Sequence, residues 1–165
     1  MNFYYIKDEY IDYLRQFDDK VLYNKNEKRP YVGIVFSLEG INYFAPFTSP
    51  KVKHKKMIDK IDFIKINNGE LGAINLNNMI PVNLESTILI KINLIENLKY
   101  RRLLQEQFFL INSISNKIKA YAFELRKIVF TNNDQLNYKQ KRIKERCCNL
   151  VLLEKIYKDY WKISY

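Results

Sequence analysis

The feature that most limits how this chain can fold is the stretch from Asn97 to Val129, which contains neither glycine nor proline. Its apolar residues recur at intervals of three and four, the spacing that places side chains on one face of a helix. We therefore predict two helices, or one long kinked helix, and the same spacing predicts a final helix from Asn149 to Tyr160. The residues that carry the longer pattern are Leu103, Leu104, Phe108, Leu110, Ile111, Ile114, Ile118, Tyr121, Leu125 and Ile128.

The first two-thirds of the chain has a different pattern, in which short runs of β-branched and aromatic residues alternate with turns. Tyr31 to Leu38 predicts a buried strand, Glu39-Gly40 a hairpin turn, and Ile41 to Phe47 the partner strand. Because proline cannot donate to a strand ladder, Pro46 and Pro50 are expected to bound the end of that partner.

Further elements are predicted on both sides of this hairpin. Asn2 to Ile6 alternates like an edge strand, and Asp8 is suited to cap a helix from about Glu9 to Phe17. Strands followed by helices indicate an α+β fold, which we predict to be a single domain over residues 1–165. The additional short strands are expected at Ile61–Ile66, Leu71–Leu76, Met79–Val82 and Ile88–Ile92.

The charge balance favours an anionic partner. Lysine and arginine number 28 against 18 acids, so the formal net charge is +10. Nucleic acid is the first candidate and an acidic membrane surface the second, while a compositional bias that leaves a basic surface without function is the alternative. No apolar run reaches the roughly 18 residues of a membrane span, and the N-terminus does not resemble a signal peptide, so we expect a cytoplasmic protein.

The sequence lacks the residues that several kinds of functional site require. One histidine and scattered acids make a metal site improbable, and four glycines without a GK[ST] motif provide no phosphate-binding loop. The adjacent Cys147 and Cys148 are expected to be reduced thiols, because a disulfide between neighbours is strained. We therefore expect no metal and no cofactor.

One stretch, YFAPFTSPKVKHKK from Tyr43 to Lys56, combines hydroxyls, cations and the single histidine. A turn between two prolines restrains Thr48 and Ser49 and leaves N–H groups free to face an anion, with Lys51 close by. These groups suit a phosphodiester, and RNA brings its own nucleophile, the 2′-hydroxyl. The alternative is an ordinary surface turn followed by solvated lysines.

The sequence also resembles a known family. YVGIVFSLEGINYFAPFTSPKVKHKK, followed by IDFIKI and LGAINLNNMIPV, is similar to the ToxN/AbiQ toxins of type III toxin–antitoxin systems, as is the opening FYYIKDEYIDYLRQFDDKV. The specific element is A-P-x-[ST]-S-P-K combined with a downstream G-x-I-N-x-x-x-M-I-P. The resemblance implies a strongly twisted antiparallel sheet flanked by helices, with a core like that of the Kid/MazF toxins and a helical C-terminal half.

For function, the resemblance implies a metal-independent endoribonuclease of phage abortive infection that cleaves cellular and phage RNA. It also implies inhibition by, and processing of, a repetitive antitoxin RNA whose pseudoknot repeats form a protein–RNA hetero-oligomer with the toxin. A non-catalytic RNA-binding module is the alternative from another class. It would keep the basic face and tolerate loss of Ser49.

The family motif carries over to a small set of candidate catalytic residues. Thr48, Ser49 and Lys51 match the motif directly, the basic position before the first hairpin strand falls on Arg29, and Tyr10 is expected to line the cleft. If the loop shifts by one residue, Lys28 takes the place of Arg29. The expected RNA-binding residues, among which Tyr31 has core packing as its alternative role, are Lys28, Lys53, His54, Lys55, Lys56, Tyr31, Arg101 and Arg102.

Overall fold

The computed structural model describes residues 1–163, with side chains described as far as Tyr160. The sheet is antiparallel and the long helices follow its last strand, which confirms the predicted α+β class. The likeness to the Kid/MazF core stays a prediction. The strands are β1 Asn2–Ile6, β2 Tyr31–Leu38, β3 Ile41–Thr48, β4 Ile64–Lys65, β5 Ala73–Ile74, β6 Ile80–Pro81 and β7 Thr87–Leu89. The α-helices are α1 Asp8–Arg15, α2 Val52–Lys56, α3 Leu98–Ser113, α4 Ser115–Phe130, α5 Tyr138–Arg146 and α6 Leu150–Ile163.

The sheet is built around the predicted hairpin. Its order is β4-β5-β3-β2-β1-β7, and β6 also pairs with β3. The β2–β3 connection has positive φ at Glu39 (50°) and Gly40 (78°), as the tight turn of a two-residue hairpin requires. β3 continues through Pro46, so only Pro50 lies beyond its end. Strand β1 is not an edge strand, because β7 returns to pair with its free side.

The strands after β3 are shorter than the sequence predicts. Ile61 to Ile66 and Leu71 to Leu76 contribute only two residues each to the sheet, as β4 and β5. The chain between them bends through a 3-10 turn at Asn67–Gly69, and Gly69 and Gly72 both have positive φ. These bends turn the polypeptide away from the ladder within a few residues.

The helical third covers one side of the hairpin. The predicted stretch from Asn97 forms α3 and α4, which break at Ile114, and Asn97 caps α3 by accepting a hydrogen bond from the Tyr100 amide at 2.9 Å. Helix α5 is not among the predicted elements, because none of its side chains is fully buried and only Ile143 packs against the core. None of the helices in the described part of the chain is long and apolar enough to cross a bilayer.

A polar network ties the helices to the sheet. Arg126 on α4 donates to both carboxylate oxygens of Glu154 on α6, at 2.7 and 2.8 Å. The Tyr43 hydroxyl on β3 donates to the same carboxylate and accepts from Arg126 at 3.0 Å. Because all three side chains are largely shielded from water, this network joins α4, α6 and the hairpin in a single arrangement.

Candidate active site

The turn between β3 and α2 carries the hydroxyls and the first lysine of the motif. Thr48 ends the strand, and Ser49, Pro50 and Lys51 follow it at the surface. The Thr48 hydroxyl donates to the Ser49 carbonyl at 3.2 Å. Within the described residues, the backbone N–H groups of Ser49 and Lys51 donate to no other group, so both are free to face an anion.

The backbone at Gly72 lies so close behind this turn that there is no room for a side chain at that position. Gly72 has φ +98°, and a Cβ placed there would lie 1.9 Å from the carbonyl oxygen of Thr48. Gln107 of α3, only 1% exposed, donates from Nε2 to the Leu71 carbonyl at 2.7 Å and to the Thr48 carbonyl at 3.4 Å. The backbone of the turn is thus fixed from behind, while its side chains remain at the surface.

A concave pocket of about 510 Å³ opens in front of the turn, and we call it the active-site pocket. It joins the turn to the loop before β2, to β1 and to the start of α3. Its lining residues are Tyr5, Lys25, Lys28, Arg29, Pro30, Phe47, Thr48, Ser49, Lys51 and Tyr100. The pocket therefore places four cations beside the two hydroxyls.

Asp8 positions the loop that carries Arg29. Its Oδ1 accepts from the Asn24 side chain at 2.7 Å and from the Glu27 amide at 3.0 Å. Arg29 then donates from Nε to the Tyr23 carbonyl at 2.8 Å. Burial lowers the pKa of Arg29 from its ordinary value, but a guanidinium stays protonated at neutral pH, so Arg29 keeps its positive charge in the pocket.

A second pocket of about 410 Å³, the side pocket, lies next to the first and shares Arg29, Thr48 and Lys51 with it. Its other lining residues are Leu22, Lys53, His54, Met57, Asp62, Phe63, Asn75, Asn77, Asn78 and Arg146. The shared residues place the motif at the junction of two cavities.

Five of the predicted site residues meet in the active-site pocket: Thr48, Ser49, Lys51, Arg29 and Lys28. Lys53 lines the side pocket. Lys55 and Lys56 line neither pocket, and Lys55 instead forms an ion pair with Glu70 at 3.6 Å. Arg101 and Arg102 also lie outside both, and Arg101 donates to the Asn93 carbonyl at 3.1 Å.

Two predicted aromatic contacts are wrong. Tyr10 does not line the cleft: its side chain is 0% exposed in the core, where its hydroxyl donates to the Pro81 carbonyl at 2.7 Å. Tyr31 cannot stack on a base, because it is 1% exposed on the inner face of β2. Burial raises the pKa of both phenols, so both remain neutral.

His54, predicted as an RNA contact or orienting residue, does not lie on the open surface but lines the side pocket. Its side chain is only 2% exposed and forms part of the base of the side pocket, with its ring centroid 5.9 Å from that of Phe63. It is the single residue of α2 that faces inward. Burial lowers the pKa of His54, and the positive charges of Lys51 and Lys53 lower it further, so the imidazole is neutral at pH 7.

Three polar residues that line the active-site pocket were not predicted from the sequence: Tyr5, Lys25 and Tyr100. Tyr5 and Tyr100 come from β1 and α3, and burial, followed by the nearby Tyr5 hydroxyl, raises the pKa of Tyr100 above its ordinary value. The two tyrosines are far apart in the sequence, and each fits the apolar pattern of its own strand or helix. Nothing near either residue in the sequence therefore predicts a place in the pocket. Among the described residues, no group of three or more His, Cys, Asp or Glu side chains is arranged to hold a metal ion.

Comparison with known proteins identifies the family of this chain. Residues 2–158 match the family described as toxin ToxN of the type III toxin–antitoxin system. The chain belongs to the ToxN toxin family. It is 33% identical to the endoribonuclease ToxN of Pectobacterium atrosepticum over 98% of this chain and 95% of that protein. Against the endoribonuclease ToxN of Bacillus thuringiensis subsp. kurstaki it is 32% identical, over 96% and 83% of the two chains.

Three solved structures of this family share the fold. One, of a type III toxin inhibited selectively by a non-coding RNA pseudoknot, has a TM-score of 0.85 and 31% identity, covering 96% of both chains. A second, from an antiviral system regulated by a processed non-coding RNA, has a TM-score of 0.79 at 32% identity, covering 96% of this chain and 98% of that one. The third, the lactococcal anti-phage endoribonuclease AbiQ, has a TM-score of 0.81 at 28% identity, covering 98% of each.

Proposed function

We propose that this protein is a metal-independent, sequence-specific endoribonuclease toxin that acts on cellular and phage RNA in the cytoplasm. The observation that carries the proposal is the active-site pocket, in which Thr48, Ser49, Lys51 and Arg29 surround one concave surface. Membership of the ToxN family supports it, because the relatives are endoribonucleases of type III systems.

In the proposed reaction the RNA supplies its own nucleophile. The 2′-oxygen of one nucleotide attacks the adjacent phosphorus, a new P–O2′ bond forms, and the P–O5′ bond to the next nucleotide breaks. The 2′-hydroxyl loses a proton and the departing 5′-oxygen gains one. The products are a 2′,3′-cyclic phosphate and a 5′-hydroxyl, and neither bond change requires a metal ion.

The groups of the turn stabilise the charge that develops on the phosphate. Lys51 contributes an ammonium group, and the free N–H groups of Ser49 and Lys51 point a partial positive charge at the non-bridging oxygens. Ser49 donates its hydroxyl, and Thr48 exchanges its bond with the Ser49 carbonyl for one with the phosphate. Arg29 lines the same pocket and is proposed to bind the phosphate as well.

Regulation follows the pattern of the relatives. A repetitive antitoxin RNA that folds into pseudoknots is proposed to occupy the same basic pocket, to be processed there into repeats, and to form a protein–RNA hetero-oligomer. The structural relatives include a toxin inhibited by an RNA pseudoknot and an antiviral system with a processed RNA. The formal charge of +10 is consistent with a polyanionic inhibitor.

The first test replaces the proposed catalytic groups. Ser49→Ala and Lys51→Ala are each expected to lower the cleavage rate of a long RNA about 100-fold or more, because each removes a donor to the transition state. The products of the parent are analysed for a 2′,3′-cyclic phosphate, with and without a chelator. Exposed residues offer matched controls, Ser37→Ala on β2 and Lys119→Ala on α4, which should cleave like the parent.

Four outcomes would contradict the proposal. Parental rates in both Ser49→Ala and Lys51→Ala would refute the assignment of these groups. A 5′-phosphate product, or loss of activity with chelator, would refute the mechanism. RNA that is bound but never cut would instead identify a non-catalytic RNA-binding module.

A further inference from the structure

The side pocket contains more polar groups than the phosphate chemistry uses. Of the buried side-chain nitrogen and oxygen atoms without a partner in residues 1–160, two belong to its lining: Asp62 Oδ1 and His54 Nδ1. Buried polar atoms are nearly always hydrogen-bonded, so two unpartnered ones in one cavity point to a ligand that satisfies them. A ligand role for this cavity rests on the proposed function, since the ligand considered is the RNA next to the scissile phosphate.

Asp62 is the unexpected member of this lining. It is 4% exposed, and its Oδ2 accepts two hydrogen bonds from Arg146, at 2.9 and 2.8 Å. The cations Arg29, Lys51 and Lys53 attract phosphate to the same cavity, whereas a carboxylate repels it. A carboxylate accepts hydrogen bonds and donates none, so Asp62 suits an N–H group of a base rather than the RNA backbone.

The asparagines of the 3-10 turn Leu76–Asn78 also present acceptors. The side-chain nitrogen of Asn78 donates to the Lys20 carbonyl at 2.9 Å, and that of Asn77 lies 3.5 Å from the Arg146 carbonyl. Each amide nitrogen keeps a second N–H, and within the described residues the carbonyl oxygens of both side chains accept no hydrogen bond, so these oxygens are available to a ligand. The polar wall of the side pocket is therefore rich in acceptors.

The remaining walls suit the faces of an aromatic ring. Phe63, Met57 and Leu22 line the cavity with apolar surface, and Phe63 is partly exposed. Single-stranded RNA is commonly read by a base that leaves the stack, contacts such side chains with its faces and hydrogen-bonds through its edge. A volume of about 410 Å³ is ample for one base.

We propose that the side pocket binds the base of a nucleotide adjacent to the scissile phosphate and selects bases that carry an amino group. Adenine, cytosine and guanine each present an exocyclic amine to the acceptors of Asp62, Asn77 and Asn78. Uracil presents carbonyl oxygens on both sides of its one N–H group and is selected against. The shared residues Arg29, Thr48 and Lys51 join this base to the phosphate in the active-site pocket.

The experiment compares ligands that differ only in the amino group. Short oligonucleotides of adenosine and of purine riboside, which is adenosine without its amine, are made with 2′-O-methyl sugars so that they cannot be cleaved. Fluorescence anisotropy gives their dissociation constants with the parent protein. Because the two bases present similar ring faces, roughly ten-fold weaker binding of purine riboside is expected from the lost hydrogen bonds.

A pair of variants assigns the effect to Asp62. Asp62→Asn keeps the volume but introduces a donor, and we expect it to bind both oligonucleotides with similar affinity. Asp59→Asn is the matched control, because Asp59 lies three residues earlier outside the side pocket, and it should keep the parental preference. Equal affinity of the parent for the two ligands overturns the proposal even if Asp62→Asn fails to fold.

Cleavage of the corresponding 2′-hydroxyl oligonucleotides separates the two proposals. Discrimination in binding without cleavage would refute the proposed function and leave the base-reading pocket in place. Cleavage of both ligands without discrimination in binding would support the proposed function and refute the base-reading pocket. Discrimination kept in Asp62→Asn would show that another group reads the amine and would overturn the assignment to Asp62.

Discussion

At the scale of single residues, His54 shows how position decides chemistry. Its ring is enclosed beneath the side pocket, and burial lowers its pKa below the ordinary value of 6.5. The folded protein therefore resists protonation of this imidazole, whereas the unfolded chain accepts a proton near pH 6.5. Folding stability contributed by neutral His54 is complete above that pH and is lost as the pH falls below it.

We accordingly predict that His54→Gln makes stability less dependent on pH. Between pH 7 and pH 5 the parent should lose free energy of unfolding faster than the variant, by at most about 1.4 kcal/mol per pH unit for one titrating group. Urea unfolding at several pH values measures the difference. Parallel pH profiles for parent and variant would mean that the folded protein protonates His54 as readily as the unfolded chain does.

The role of a residue can be predicted from the sequence when the residues that act together are close in the chain. The candidate group Thr48, Ser49 and Lys51 could be chosen from sequence, because the three residues lie within four positions on a turn whose prolines and charges predict exposure. Tyr10 could not be assigned correctly, because helical spacing does not distinguish a tyrosine that faces a cleft from one whose hydroxyl bonds a buried carbonyl. Asp62 and Arg146 are 84 positions apart, so their pairing required the fold.

At the scale of elements, helix α3 contributes to the site from behind. Gln107 reaches the carbonyls of Leu71 and Thr48 and so joins the helix to the end of β3 and to the chain before β5. The side chains of Thr48 and Ser49, which are proposed to contact the phosphate, remain at the surface of that turn. Any displacement of the turn moves Thr48 and Ser49 relative to the phosphate.

We predict that Gln107→Leu lowers kcat for RNA cleavage about 10- to 100-fold, because a small displacement of positioned groups is costly. KM should change little, since the cations that bind RNA remain in place. The matched control is Gln105→Leu, an exposed position on the same helix. A rise in KM with kcat unchanged would indicate that Gln107 contributes to binding and not to the geometry of the turn.

Helices and strands with a strong apolar periodicity can be located from the sequence, and those with a weak one cannot. The hairpin β2–β3 and the long helices α3 and α4 have strong patterns, and their predicted bounds are nearly correct. Helix α5 contributes only Ile143 to the core, and the signal that could have located it is the capping box of Asn137 and Gln140. Helix α2 buries only His54, so its lysines have the pattern of an unstructured connector.

At the scale of the whole molecule, the excess of ten positive charges is expected to govern RNA affinity. Binding that neutralises phosphates releases counterions, so the logarithm of the association constant falls linearly with the logarithm of salt concentration. Lys28, on the rim of the active-site pocket, should account for one such contact. Lys28→Gln is predicted to reduce the steepness of that line by about 0.7, the value per phosphate for single strands.

Titrations of a non-cleavable RNA at several salt concentrations give the slope. Lys119→Gln removes the same charge from the exposed face of α4 and serves as the comparison. If both variants reduced the slope equally, RNA would be attracted by net charge alone. A reduction confined to Lys28→Gln would locate the contact at the pocket.

The tight packing at Gly72 has a genetic consequence. A methyl group at this position would overlap the Thr48 carbonyl, and the positive φ independently disfavours other residues. Every missense change in that codon therefore displaces the turn that carries the hydroxyls, although no reacting atom is altered. Under the proposed mechanism, spontaneous mutations at the Gly72 codon are expected to lower toxicity, as loss of Ser49 is, and so to give cells a second route of escape.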